Sequence, residues 1–388
     1  MECYLDNAST TKALPEVCDL VRKVMCEDFG NPSSLHRKGV EAEQYIRQAG
    51  EQIARTLKCL PKNIIYTSGG TESNNLALIG SAMANRRQGM HIITSCFEHP
   101  SVYEPLCFLE DSGFEVSYLP VDGEGHISLE ALRGLLREDT ILVSVMAVNN
   151  EIGAVTDVAA LAETVKGYNE KIVLHVDAIQ AYGKMKLYPS RMGIDLVSVS
   201  GHKIHGPKGT GFLYRGDKVK IHPCMYGGGQ QKGMRSGTEN VPGIAGLGLA
   251  AERMYKDLVP HTEHLYELKR YFIQQISEMD GARVNACRKE DLERTAPHII
   301  SVSFEGIRSE VLLHALEEEE IYVSSGSACS SHHPGISGTL KAIGIPDRLL
   351  DATLRFSFSV FTKKEEIDHT IDCLKRVVPV LARYQRGG

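Results

Sequence analysis

The chain has 388 residues and a formal net charge of −6, with no cluster of basic residues. That balance excludes nucleic acid or an anionic membrane as the main partner, and the length supports a large core and two domains. The start, Met1-Glu-Cys-Tyr-Leu-Asp6, carries no export signal, and no apolar run is long enough to span a bilayer. The ten cysteines are scattered without CxxC pairs, so they read as reduced thiols in a cytoplasmic protein.

In chain order, short apolar runs alternate with helical patterns from about residue 60 to residue 215. Strands are predicted at 64–67, 92–95, 115–120, 141–148, 172–177, 196–200 and 210–214. Helices are predicted between them at 71–83, 129–136 and 158–168. This alternation implies α/β architecture with a mostly parallel sheet covered on both faces. A small-residue helix follows around 242–255, then a charged amphipathic helix at 263–276. Beyond it, strands at 299–304, 321–324 and 353–358 alternate with helices, one of them at 310–319 with Val311, Leu312, Ala315 and Leu316 on one face. The last helix is predicted to open on Thr362-Lys-Lys-Glu365, a capping-box spacing. The second half reads as a smaller α+β domain. The expected boundaries are 14–253 for the large domain, with 1–13 and 254–388 forming the small one.

Chemistry-bearing residues fall at the ends of the predicted strands. Thr67-Ser-Gly-Gly-Thr71 is a strand, a glycine turn and a helix start, which offers bare amides at Gly70 and Thr71 as a phosphate seat. The same pattern arises for steric reasons alone, and neither GK[ST] nor GxGxxG is present. His99, in Glu98-His-Pro100, is either structural or a ring-stacking and proton-carrying group. Asn150, in Val148-Asn-Asn-Glu151, is either a turn cap or an amide for a cofactor or substrate. Val173-Leu-His-Val-Asp177 closes an apolar strand on a carboxylate, which a pyridine-type cofactor would use to keep its ring nitrogen protonated. Lys203 lies just past another strand end, flanked by Ser200 and His202; it is either a solvated loop lysine or, at the edge where open α/β sheets bind ligands, a desolvated amine that acts as a nucleophile. Gly227 to Thr238 is a glycine-rich loop, either flexible surface or a source of donors for a phosphate. Together these residues fit pyridoxal 5′-phosphate.

The Ser, Gly and Pro of Ser324-Ser-Gly-Ser-Ala-Cys329-Ser-Ser-His-His333 imply an exposed loop over about 324–338, with one cysteine in its middle. Cys329 near His332 and His333 reads as a working thiolate rather than a zinc ligand, because a fourth ligand is missing. No metal is therefore expected. Arg355, in Leu354-Arg-Phe-Ser357, is either an ordinary surface arginine or a two-pronged donor for a substrate carboxylate.

On these stretches, together with Tyr4-Leu-Asp-Asn-Ala8, Gly30-Asn-Pro-Ser-Ser-Leu-His36 and Met234-Arg-Ser-Gly-Thr238, the chain resembles the cysteine desulfurases. These belong to the class V aminotransferases of pyridoxal-phosphate fold type I, in the branch serving iron–sulfur cluster assembly and thiolation. The resemblance runs nearly end to end. It implies Lys203 as the Schiff-base lysine, His99 over the ring, Asp177 on the ring nitrogen and Gln180 on the ring hydroxyl. It implies Gly70, Thr71, Ser200 and His202 on the phosphate, joined by Thr238 from the second subunit of a homodimer. Asn150 and Arg355, with Asn31 nearby, would take the substrate carboxylate, and Cys329 would carry the persulfide.

The implied reaction converts L-cysteine to L-alanine and delivers sulfur to acceptor proteins such as an iron–sulfur scaffold or a tRNA thiolase. The alternative on the same scaffold is a selenocysteine lyase; an aminotransferase and a non-catalytic docking subunit are further rivals. There are three departures. Ser9 replaces the alanine usual after Asn7-Ala8, a minor change; His332-His333-Pro-Gly-Ile-Ser337 replaces a stretch that is small and acidic in many members; and Arg355-Phe-Ser-Phe-Ser-Val360 replaces the pattern Arg-Phe-Ser-Leu-Gly-Arg.

Overall fold

The computed structural model describes residues 1–287, 289–325 and 337–385. Its first strand, β1 (Cys3–Tyr4), is followed by seven strands that form one sheet: β2 (Ile64–Thr67), β3 (His91–Ser95), β4 (Glu115–Leu119), β5 (Thr140–Met146), β6 (Val173–Asp177), β7 (Leu196–Ser200) and β8 (Gly211–Arg215). Their spatial order is β2-β8-β7-β6-β5-β3-β4. Strands β3 to β7 pair in parallel, and β8 runs antiparallel to both β7 and β2. The parallel strands are apolar runs because both faces are covered by helices. Val143, Val145, Leu174, Val176 and Val197 are fully buried against one helical layer, and Leu142 and Leu196 against the other. The mixed α/β class with a mostly parallel sheet is as the alternation predicted.

Two helices absent from the sequence-based reading, Pro15–Cys26 and Arg37–Leu57, pack on the helix Val241–Lys256. That last helix is rich in small residues for a steric reason. A Cβ at Gly248 would lie 2.6 Å from Ala49 Cα, and one at Gly246 would lie 2.8 Å from the Pro207 ring. The helices approach closely because those side chains are missing.

After the helix Leu258–Ser277 comes an antiparallel sheet of β9 (Ala282–Asn285), β10 (Ile299–Phe304), a strand at 324–325 and one at 353–357. The predicted strand at 321–324 is two short ones: β11 (Ile321–Tyr322), which pairs in parallel with β1, and β12 (Ser324–Ser325), which pairs with β13 (Thr353–Ser357). The chain changes sheets at Val323. This second core is aromatic. Phe272 packs on Phe356 and Phe358 with ring centroids 4.9 and 5.8 Å apart, each pair contributing about 0.5–1.5 kcal/mol beyond area burial.

The last helix, Lys364–Gln385, starts one residue later than its predicted cap. The Thr362 hydroxyl accepts instead from the Ser359 amide at 2.9 Å, and Glu366 reaches back to the Lys363 amide at 2.7 Å. The reciprocal spacing is therefore Lys363 to Glu366. Thr362 is unavailable as a cap because it closes the preceding turn.

The first ten residues join the two sheets. Leu5 and Asn7 bond to Ser357 of β13. The arm then crosses to the end of β7, where the Thr11 amide and hydroxyl both donate to the His202 carbonyl at 2.9 Å.

Candidate active site

A cavity of about 190 Å³ opens at the C-terminal ends of β5, β6 and β7, the ligand-binding edge of an open α/β sheet. The register places Asp177 beside Ser198, so β7 extends two residues beyond β6 and carries Ser200 and Lys203 past the carboxylate. Gly70, Thr71, His99, Asn150 and Asp177 all line this cavity, as do Gln180, Ser200, His202, Lys203 and Arg355. Asn31 and Thr238 do not; both are exposed elsewhere on the chain's surface. Cys329, His332 and His333 lie outside the described residues.

Asp177 is buried. Its Oδ1 accepts from the Ile179 amide at 2.9 Å and its Oδ2 from Asn74 Nδ2 at 2.8 Å. Burial pushes this carboxyl up from the usual range, while those two donors, His99 and Lys203 pull the other way. A cationic ring nitrogen is the partner that would hold it ionised.

Asn74 also donates to Ser101 Oγ at 2.9 Å, and Ser101 Oγ lies 2.8 Å from His99 Nδ1. Because the Ser101 amide donates to the same Nδ1 at 3.1 Å, that nitrogen is an acceptor and the neutral ring carries its proton on Nε2. Burial lowers the His99 pKa, assisted by the Lys203 and Arg355 charges. Asn74 and Ser101 thus tie the histidine to the carboxylate, and the sequence reading missed both. The available signal was positional. Asn74 is one helical turn after Gly70, on the same face, and Ser101 is the second residue of the helix that His99 caps.

The glycine turn fits an anion seat. Gly69 has φ +151°, and its main chain packs over Gly211, where a Cβ would lie 2.7 Å from Gly69 Cα. The helix Gly70–Asn85 then opens with Gly70 and Thr71 facing the cavity. A Cβ on Gly70 would come 2.2 Å from Ile179 Cδ1. Opposite, His202 Nδ1 lies 3.1 Å from Thr10 Oγ1, and burial with the Lys203 charge pushes its pKa down to about 4. It is a neutral hydrogen-bonding ring at pH 7.

Lys203 Nζ donates to the carbonyls of Ala8 and Ser9 at 2.5 and 2.7 Å. Lys184, pushed down to about 7 by burial and by the Lys203 charge, donates to the Lys203 carbonyl at 2.6 Å. Gln180 Nε2 also donates to the Ala8 carbonyl at 2.9 Å, and its Oε1 lies 3.2 Å from His298 Nε2. Arg355 is buried, with Nη1 on the Asn150 carbonyl at 2.8 Å and Nη2 paired with Asp6 Oδ1 at 2.9 Å. An amine, a buried carboxylate under the ring position, a helix start for a phosphate and a guanidinium for a carboxylate are the donor set that pyridoxal 5′-phosphate and an amino acid require.

The comparisons with known proteins agree with this donor set. Residues 3–370 match the family model for aminotransferase class V. The chain is 42% identical over 381 residues to a cysteine desulfurase IscS of Dictyoglomus turgidum, covering 98% of this chain and 95% of that protein. It is 41% identical over 396 residues to a cysteine desulfurase IscS of Escherichia coli, covering 99% and 96%. Among solved structures, a NifS-like protein superposes with a TM-score of 0.92 at 35% identity, covering 98% of this chain and all of that one. SspA in complex with cysteine superposes with a TM-score of 0.82 at 32% identity, covering 93% and 100%. The chain belongs to the class V aminotransferase family, in its cysteine desulfurase branch.

Proposed function

We infer that this chain is a pyridoxal-phosphate-dependent cysteine desulfurase, converting L-cysteine to L-alanine and leaving sulfur on its own Cys329. The observation that carries this reading is the convergence of Lys203, Asp177 and Arg355 on one cavity, in a chain about 42% identical to IscS desulfurases. Those relatives are named for cysteine rather than selenocysteine, which favours this substrate over the selenocysteine lyase alternative.

When bound, pyridoxal phosphate supplies an electron sink for a carbon that loses its proton. Asp177 would keep the ring nitrogen protonated, Gln180 would take the ring hydroxyl, and Gly70, Thr71, Ser200 and His202 would hold the phosphate. Arg355 and Asn150 would hold the substrate carboxylate. Lys203 Nζ would tether the cofactor and carry the α-proton. The neutral His99, protonated on Nε2, would stack on the ring and serve proton transfer. The Cys329 thiolate then attacks the substrate sulfur. The carbon–sulfur bond breaks, a sulfur–sulfur bond forms on Cys329, and the carbon takes up a proton as alanine leaves.

The division of labour follows the two cores: residues 14–253 hold the cofactor, and residues 1–13 with 254–388 form the small domain that carries Cys329. A homodimer is supported by the apolar side chains exposed near Asn31 and Thr238. Leu35 is 99% exposed, and Phe29 and Tyr226 are also exposed. In such a dimer Thr238 reaches the partner's phosphate seat and Asn31 the substrate end. Sulfur acceptors are an iron–sulfur scaffold or a tRNA thiolase. A cytoplasmic site of action is consistent with the finding that no helix among the described residues is long and apolar enough to cross a membrane.

The test is turnover of L-cysteine by the cofactor-loaded protein in the presence of a reducing thiol. Alanine and sulfide in equal amounts are expected. Pyruvate in place of alanine, or turnover restricted to selenocysteine, contradicts the reading.

A further inference from the structure

Arg355 Nη2 donates to two acceptors of the chain, Asp6 Oδ1 at 2.9 Å and Ser9 Oγ at 2.6 Å. The Ser9 hydroxyl in turn donates its own proton to Asp6 Oδ1 at 2.8 Å. Arg355, Ser9 and Asp6 therefore close a three-membered ring of hydrogen bonds. Nη1 donates to the Asn150 carbonyl, while Nε is buried without a hydrogen-bond partner among the described residues. A carboxylate takes a guanidinium in a fork either through Nε and Nη2 or through Nη1 and Nη2. Both forks need Nη2, which already serves two acceptors of the chain.

The geometry points to Ser9 as a residue that sets substrate affinity: with Asp6 it clamps Arg355 Nη2, so that the carboxylate of an incoming amino acid must displace the serine hydroxyl before a two-pronged pair can form. This rests on Arg355 being the carboxylate site. Alanine at this position would leave Asp6 as the remaining acceptor on Nη2 among the described residues. Ser9 is the suited point of displacement because it is neutral. Its departure costs a hydrogen bond and leaves the Asp6–Arg355 ion pair intact. Its backbone carbonyl, which accepts from Lys203, remains whatever the side chain.

The test is the affinity of the cofactor-loaded protein for L-alanine, an unreactive amino acid, read from the absorbance of the bound cofactor. The KM and kcat for L-cysteine are measured alongside. Ser9→Ala is expected to tighten L-alanine about 5- to 10-fold and lower KM with kcat unchanged, as loss of one competing charge-assisted hydrogen bond would. Ser9→Thr keeps the hydroxyl and should match the parent. Inhibition by cysteamine, which has no carboxylate, should be the same in all three. Unchanged or weaker L-alanine binding in Ser9→Ala, or an equal shift for cysteamine, overturns the clamp. Arg355→Ala separates the two claims. If it leaves L-alanine binding untouched, the carboxylate reading itself fails. If it weakens binding while Ser9→Ala does not tighten it, only the clamp is wrong.

Discussion

Lys203 and Lys269 each hang their amine on two main-chain carbonyls, one beside each core. At the edge of the large sheet, Lys203 Nζ rests on the carbonyls of Ala8 and Ser9 and faces a cavity floored by Asp177. In the second core, Lys269 Nζ is held by Thr295 Oγ1 at 2.7 Å, the Ala296 carbonyl at 2.7 Å and the Ile299 carbonyl at 2.9 Å, with no exposure at all. Burial pushes Lys269 down to about 8. Lys269 is buried and Lys203 half-buried, and both sit in oxygen cups, so hydrogen bonding does not separate the proposed reactive amine from the structural one. The distinction is the space in front of the amine and the ionisable groups that share it. Lys203 shares a cavity with Asp177, His99 and Arg355, whereas Lys269 fills its own site.

The largest expected effect breaks that comparison at its active end. Lys203→Ala should cut L-cysteine turnover by about 10⁴-fold, the upper range for loss of a positioned proton carrier, and remove the absorbance of the tethered cofactor. A tenfold loss or less would mean that another amine does the work.

At the structural end, Lys269→Met should leave kcat and the cofactor spectrum unchanged but lower stability by about 1–3 kcal/mol for each carbonyl left without a donor, read by denaturant unfolding. The pH dependence sharpens this. With its folded pKa near 8 against 10.5 for an ordinary lysine, the unfolded chain holds a proton that the folded chain has lost between those values. Stability from this residue therefore rises with pH through that window. The parent should gain on Lys269→Met between pH 8 and 10, and a constant difference would contradict the shift.

A smaller effect is expected at Glu98, beside His99. Its Oε1 accepts from the Met146 amide at 3.0 Å and from the Ser95 hydroxyl, Oε2 is buried without a partner, and burial pushes the carboxyl up to about 8. Between about 4.5 and 8 the folded chain keeps a proton that the unfolded chain has released, so this residue's contribution falls as pH rises. Glu98→Gln has no such penalty. Its melting temperature relative to the parent should be higher at pH 8 than at pH 5, and a pH-independent difference would show that Glu98 is ionised throughout.

The same contrast explains what the sequence could reveal. Strand ends were legible because β5, β6 and β7 are buried on both faces and read as Val, Leu and Ile runs, each with one buried polar residue inside (Ser144, His175 and Ser198), and Asp177 and Ser200 close β6 and β7. Lys203 follows directly. The helix Arg37–Leu57 was missed although its polar and apolar faces alternate with helical period, because it is polar on average and much of its buried face is the small residues Gly39, Ala42, Ala49, Gly50 and Ala54. The helix Pro15–Cys26 buries only Val17 and Val24. Nor could spacing bring Asp6 and Ser9 to Arg355, partners separated by 349 and 346 positions. Their meeting depends on the N-terminal arm crossing between the two sheets, which only the folded chain specifies. Asn74 escaped for a related reason, since it bonds across elements to Asp177, and Ser101 joins the network through Asn74 and its near neighbour His99.

The central claim is that the sulfur removed from cysteine is held on Cys329. The most direct test is mass spectrometry of peptides from the cofactor-loaded protein after brief exposure to L-cysteine without reductant. The account predicts one added sulfur atom on the peptide containing Cys329, matched by an equal amount of L-alanine in solution. Sulfur on a different cysteine, or alanine released with Cys329 unmodified, would contradict it.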